Sequence, residues 1–216
     1  PGLPFAMRRA NFFMAAGPSK PFLCLLVLSP EKIFAFGAYR MAMFTKDGGK
    51  IWADWSLNIG DRLSNNLYAA AAIGADLYVV GEAGMVFRSS DGGATFPAVP
   101  SPSGVTLFGV VGASDNAVIV FGVAGNCFRS VDAGMSWSAI GLGTQDNLTA
   151  GRRLGNGHIL IASEGGVLYR SVDNGQSFNP VPGVPHLLIF DIEATPDGSL
   201  VIAGQSGAVR LLGLTL

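Results

Sequence analysis

Charge is scarce in this sequence. Only 13% of its 216 residues are Asp, Glu, Lys or Arg, and 14 basic residues against 15 acidic ones leave a formal net charge of −1. No long-range field of one sign then steers the chain onto a phosphate backbone or an anionic membrane surface, so nucleic acid is not an expected partner. Cysteine is scarcer still. Cys24 and Cys127 are too few and too far apart for a disulfide framework or a zinc site, and they say nothing of compartment. The two histidines, His158 and His186, have no Cys, Asp or His at ligand spacing; neither a metal nor a cofactor is expected. Long apolar runs are missing too. Residues 22–28 follow Lys20 and faintly resemble a signal-peptide core, yet they are too short to cross a bilayer and read as a buried strand. No transmembrane segment is expected. The sequence opens on Pro1 in place of an initiator methionine, which leaves room for a leader or further sequence upstream.

Glycine and apolar residues are what the sequence has in abundance. There are 30 glycines and 49% hydrophobic residues, a mixture that suits many short buried strands joined by tight turns better than a helical bundle. A repeat organises them. Four segments, at 44–52, 88–96, 129–137 and 170–178, share the pattern Ser/Thr-x-Asp-x-Gly-x-Ser/Thr-Trp/Phe with small departures, and they recur about every 41 residues. Their members are Asp47, Gly49 and Trp52; Asp91, Gly93 and Phe96; Asp132, Gly134 and Trp137; and Asp173, Gly175 and Phe178. Ten residues before each aspartate stands Gly37, Gly81, Gly122 or Ser163, and each of these closes an apolar run suited to a strand covered on both faces. A fifth, shorter copy at 199–204 lacks its aspartate.

Each repeat reads as four antiparallel strands, or one propeller blade. Stacking blades radially buries both faces of such apolar sheets while limiting exposed edges. The expected fold is therefore all-β: a single β-propeller over residues 1–216, with blades near 22–58, 66–100, 106–142, 147–183 and 187–213. In this reading residues 5–15 give the last blade its fourth strand and close a five-bladed ring. The alternative is part of a larger, seven-bladed propeller. In the box itself the carboxylate accepts backbone N–H bonds across a tight turn, glycine permits positive φ, and the aromatic ring packs beneath the hairpin. One carboxylate per loop is too few for calcium, so the boxes read as structural.

These boxes resemble those of bacterial sialidases and of the wider neuraminidase-repeat propellers. The longer pattern Gly-x-x-Gly-x-x-Phe-Arg-Ser, seen at 81–89 and 122–130, resembles the photosystem II stability and assembly factor family, including its relatives in non-photosynthetic bacteria. The first repeat departs from it, with Arg40 where the others have Gly84, Gly125 and Gly166, and with Ile51 in place of a hydroxyl residue; a distorted first blade is expected. The resemblance implies an extracytoplasmic propeller that binds protein partners during assembly of a membrane complex. Family members are usually larger and seven-bladed.

A sialidase-like hydrolase needs three arginines around the substrate carboxylate, a Tyr/Glu nucleophile pair and an acid. No such set is expected to converge, and no catalytic residue is assigned. Arg88, Arg129 and Arg170 recur at equivalent positions, where they read either as solvated strand residues or, with Arg40, as a basic rim for an acidic partner. Arg152 and Arg153 lie on one innermost strand, and Asp191 and Glu193 on the next. Together they read as an ion-paired channel plug or as a polar ligand site at the channel mouth. Trp55 and Tyr68 stand outside the boxes and are freer to touch a ligand. The leading functional expectation is a non-catalytic protein-binding scaffold; the alternative is a carbohydrate-binding or glycoside-hydrolase-like propeller.

Overall fold

The computed structural model describes residues 20–60, 64–184, 187–195 and 199–211. These residues form eighteen strands in five antiparallel sheets. The first blade contains β1 (Phe22–Val27), β2 (Ile33–Gly37), β3 (Ala42–Thr45) and β4 (Ala53–Asp54). The second contains β5 (Leu67–Ile73), β6 (Asp76–Gly81) and β7 (Val86–Ser89). The third contains β8 (Leu107–Ser114), β9 (Ala117–Gly122), β10 (Cys127–Ser130) and β11 (Ser138–Ala139). The fourth contains β12 (Leu148–Arg153), β13 (Ile159–Ser163), β14 (Leu168–Ser171) and β15 (Asn179–Pro180), and the fifth β16 (Ile189–Ala194), β17 (Leu200–Gly204) and β18 (Gly207–Leu211). In the second blade the place of a fourth strand is taken by an irregular stretch around Pro97, held by Arg88 N–H to the Pro97 carbonyl and Val99 N–H to the Val86 carbonyl, each at 3.0 Å. Proline cannot donate to the ladder, so pairing there shrinks to a single bridge between Phe87 and Ala98.

Within each blade the strands pair in chain order, and the first strand of every blade lies innermost, against its counterparts in the neighbouring blades. The sheets form a five-bladed β-propeller. Four apolar cores lie between successive blades. The one joining blades one and two is the most aromatic: the Phe34 ring lies 4.6 Å from Phe44, 5.6 Å from Phe96 and 5.9 Å from Phe36. The others centre on Val80 and Val120, on Phe121 and Ile161, and on Leu160 and Ile202. Among the described residues, no core and no contact of comparable extent joins β16 to β1. The closing strand expected at residues 5–15 lies outside the described residues.

The box turns fasten blade to blade. In the third, the Ser130 hydroxyl donates to Asp132 Oδ1 at 2.7 Å and accepts from Gly134 N–H at 2.8 Å, while Asp132 accepts from Ser136 N–H at 2.9 Å and from the Ser136 hydroxyl at 2.6 Å. Boxes two and four repeat these bonds; the first lacks the last one, because Ile51 has no hydroxyl. The second glycine serves two ends. At Gly93, Gly134 and Gly175 φ is 91°, 86° and 76°; a Cβ at the first or third would strike Phe34 or Ile119 of the preceding blade, and one at Gly134 would crowd Val99. Lys32 Nζ of blade one caps the Gly92 carbonyl of blade two at 2.7 Å, and Arg129 Nε of blade three caps Asn174 of blade four at 2.9 Å.

The first blade keeps the common backbone despite Arg40. Tyr39 and Arg40 take φ of 55° and 57°, as Ala83 and Gly84 do at 55° and 72°, so the departure expected there is absorbed as backbone strain and not as a changed turn. The turn is clamped by Asn66 of blade two, whose Oδ1 accepts from Tyr39 N–H at 3.0 Å; Asn147 does the same for Ala124 at 3.0 Å.

Candidate functional site

The five innermost strands surround a central channel, and all five share one irregularity. Pairing with the second strand slips by a residue between Phe22 and Cys24, Leu67 and Ala69, Leu107 and Gly109, Leu148 and Ala150, and Ile189 and Asp191. The bulged residues are Leu23, Tyr68, Phe108, Thr149 and Phe190. A bulge re-aims its side chain, and these five all line the same cavity, of about 830 Å³, at one end of the channel. This end lies on the side of the turns that follow the second strands; the boxes lie at the other. The Tyr68 and Phe108 rings meet edge to face at 5.3 Å. Two glycines open the wall: a Cβ at Gly109 or Gly151 would collide with the Phe121 ring.

The rim of this mouth is largely acidic over blades two to four. Glu82 accepts from Asn66 N–H at 2.7 Å, Asn66 Nδ2 at 2.9 Å and the Tyr68 hydroxyl at 3.3 Å. Glu164 accepts from Asn147 Nδ2 at 3.0 Å, and Asp146 Oδ2 lies 3.4 Å from the Ser163 hydroxyl. These bonds come from neutral donors, and among the described residues no cation pairs with these carboxylates. Asp191 lies inside the cavity, exposed. On blade one Lys20 sits over the Tyr39 ring, 5.8 Å from its centre.

The opposite mouth is smaller, about 450 Å³, and its lining includes residues 70–74 with Asp115, Arg152 and Arg153. Arg152 Nη2 makes an ion pair with Glu193 Oε1, because the two occupy equivalent places on neighbouring inner strands. Both side chains are about half exposed, so solvent screens the pair. The expected four-residue cluster is thus divided. Arg152, Arg153 and Glu193 gather at the box-side end, whereas Asp191 lies two residues higher on its strand and opens into the aromatic-lined cavity.

The repeated arginines are spread over three blades. Arg88 Nε donates to Asp76 Oδ2 at 2.7 Å, which holds its guanidinium above its ordinary pKa, and Arg129 is engaged with Asn174. Arg170 occupies the matching place on β14, and Arg40 forms the turn beside Asn65. Trp55, expected to be free for a ligand, instead packs on Phe44 at 4.9 Å and donates Nε1–H to the Gly93 carbonyl of blade two at 2.8 Å. His158 sits in the β12–β13 turn, its Nδ1 3.2 Å from Asn156 Nδ2; His186 lies outside the described residues. Burial pushes the Cys24 and Cys127 thiols up to about 12, which makes both poor nucleophiles at neutral pH. Among the described residues no three His, Cys, Asp or Glu side chains gather as metal ligands, and no helix is long and apolar enough to cross a membrane.

The sequence profile of the photosynthesis system II assembly factor YCF48 family matches residues 21–211, nearly all of the described chain. The chain belongs to the YCF48 family. Among solved structures, a YCF48 bound to D1 peptide superposes with a TM-score of 0.69 at 18% identity, over 88% of this chain and 62% of that one. The present YCF48-family chain therefore spans less than two thirds of that relative. YCF48 from Cyanidioschyzon merolae gives 0.66 at 14% identity, over 91% and 69% of the two chains. The GH74 enzyme of Niastella koreensis gives 0.68 at 19%, over 89% of this chain and 29% of the enzyme. At these identities the likeness concerns the fold alone. No curated protein matches the chain.

Proposed function

We propose that this chain is a non-catalytic scaffold that holds a polypeptide partner, in an extracytoplasmic setting where an envelope or membrane complex is assembled. Membership of the YCF48 family across residues 21–211 carries this reading, and a YCF48 structure that holds a peptide is consistent with it. The channel chemistry supports it further. Asp191 and Glu193 open toward different ends of the channel, and Glu193 is engaged by Arg152, which does not suit a pair of carboxylates acting across one glycosidic bond.

Affinity purification with the full chain as bait, quantified against a Phe190→Asp variant, tests the reading. The expected result is a polypeptide recovered in stoichiometric amount with the wild-type chain and reduced with the variant. Turnover of a glycoside that Glu193→Gln abolishes would replace the scaffold with the hydrolase alternative.

A further inference from the structure

The five bulged residues point to what such a partner presents. Bulging at the same place in every inner strand puts Leu23, Tyr68, Phe108 and Phe190 around one mouth, with Thr149 as the single small polar member. Leu23 and Phe190 are 39% and 56% exposed, Tyr68 and Phe108 are partly so, and Phe22 and Leu25 of β1 beside them are exposed as well. The cavity behind them, about 830 Å³, has room for a large side chain together with the backbone on either side of it and is open to solvent. Thr149 is fixed by its hydroxyl, which donates to the Ile189 carbonyl at 2.6 Å and ties blade four to blade five at the rim.

Among the described residues, the charges around this mouth are predominantly acidic. Asp191 stands within the cavity, and Glu82, Asp146 and Glu164 stand on the rim, accepting bonds from neutral groups. The cations of the same rim, Lys20 and Arg40, belong to the blade-one corner. A pocket lined largely by apolar side chains, with Asp191 in it and further carboxylates near its rim, is complementary to a hydrophobic group beside a cation.

Resting on the scaffold reading, we propose that this mouth is the docking site itself. It seats one large apolar side chain of an extended polypeptide, with Lys or Arg within two residues of that anchor facing Asp191 and the carboxylates of blades two to four. The rings and Leu23 supply the desolvated contact that dominates such interfaces, and the carboxylates select the flanking charge.

Selection of a random twelve-residue peptide library on the immobilised full chain tests this, followed by titration of synthetic winners. The proposal expects a consensus of Phe, Leu, Met or Trp beside Lys or Arg. Binding should fall at least about tenfold with Phe190→Asp, and about threefold with Asp191→Asn at low salt, the latter loss vanishing at high salt. Phe190 and Asp191 are exposed, so both variants should fold, with unchanged circular dichroism and melting as the check. Peptides whose binding ignores both variants, or an acidic consensus, would overturn the docking site and leave the scaffold reading standing. A library that yields no binder would count against both.

Discussion

At the scale of single residues, the boxes show how small polar groups hold a propeller together. Ser130 is buried, and its hydroxyl donates to Asp132 Oδ1 and accepts from Gly134 N–H and, at 3.3 Å, from Asp132 N–H. Ser130→Ala leaves the Gly134 N–H unsatisfied and should destabilise the chain by about 1–3 kcal/mol in a denaturant titration. The box carboxylates titrate low. The Ser136 and Ser130 hydroxyls hold Asp132 at about 2, against an ordinary value of 3.8, and Asp47, Asp91 and Asp173 are lowered by the same kind of bonds. A group depressed in the folded state stabilises above its unfolded value and loses that contribution as pH falls through the folded one. Melting temperature should therefore drop between about pH 4 and pH 2, and Asp132→Asn should flatten that part of the profile. The caps that reach Gly92 and Asn174 from the preceding blade left no sign in the sequence, whereas the bonds inside each box were legible, since their partners lie within four residues. Trp55 was not, because the carbonyl it caps belongs to the next blade.

At the scale of strands and turns, the lesson is that backbone geometry persists where its usual residue is missing. Arg40 occupies the left-handed position held elsewhere by Gly84, Gly125 and Gly166, at φ 57° against 72°, 69° and 87°. Arg40→Gly should relieve this and stabilise the chain by about 1 kcal/mol, read from the denaturant midpoint. The bulges were hidden for a different reason. A one-residue slip in pairing register leaves no mark in an apolar run such as residues 66–73, so the shared orientation of Tyr68, Phe108 and Phe190 emerges only once both strands are in place. Tyr68 stood out as a free aromatic; its four companions did not. Similarly, Asp191 and Glu193 share one strand, but two residues along it suffice to assign them to opposite ends of the channel.

At the scale of the whole molecule, five blades follow from the repeat, and four cores weld them in order. The seam between the fifth and the first differs. Leu25 on β1 is 61% exposed, whereas Ile192, at the equivalent place on β16, is 3% exposed. Leu25→Ser should change stability by less than about 0.5 kcal/mol, and Ile192→Ser should cost several kcal/mol. Equal costs in the two variants would mean that the face of β1 is covered in solution. If the channel binds polypeptide and performs no glycoside chemistry, setting both activities side by side on one purified chain is the most direct measurement. Peptide titration by calorimetry and hydrolysis of a panel of aryl glycosides would be run on the wild type and on Phe190→Asp. One saturable peptide site per chain, weakened by Phe190→Asp and accompanied by no glycoside turnover, is the predicted result. Catalytic turnover with no peptide binding would contradict it.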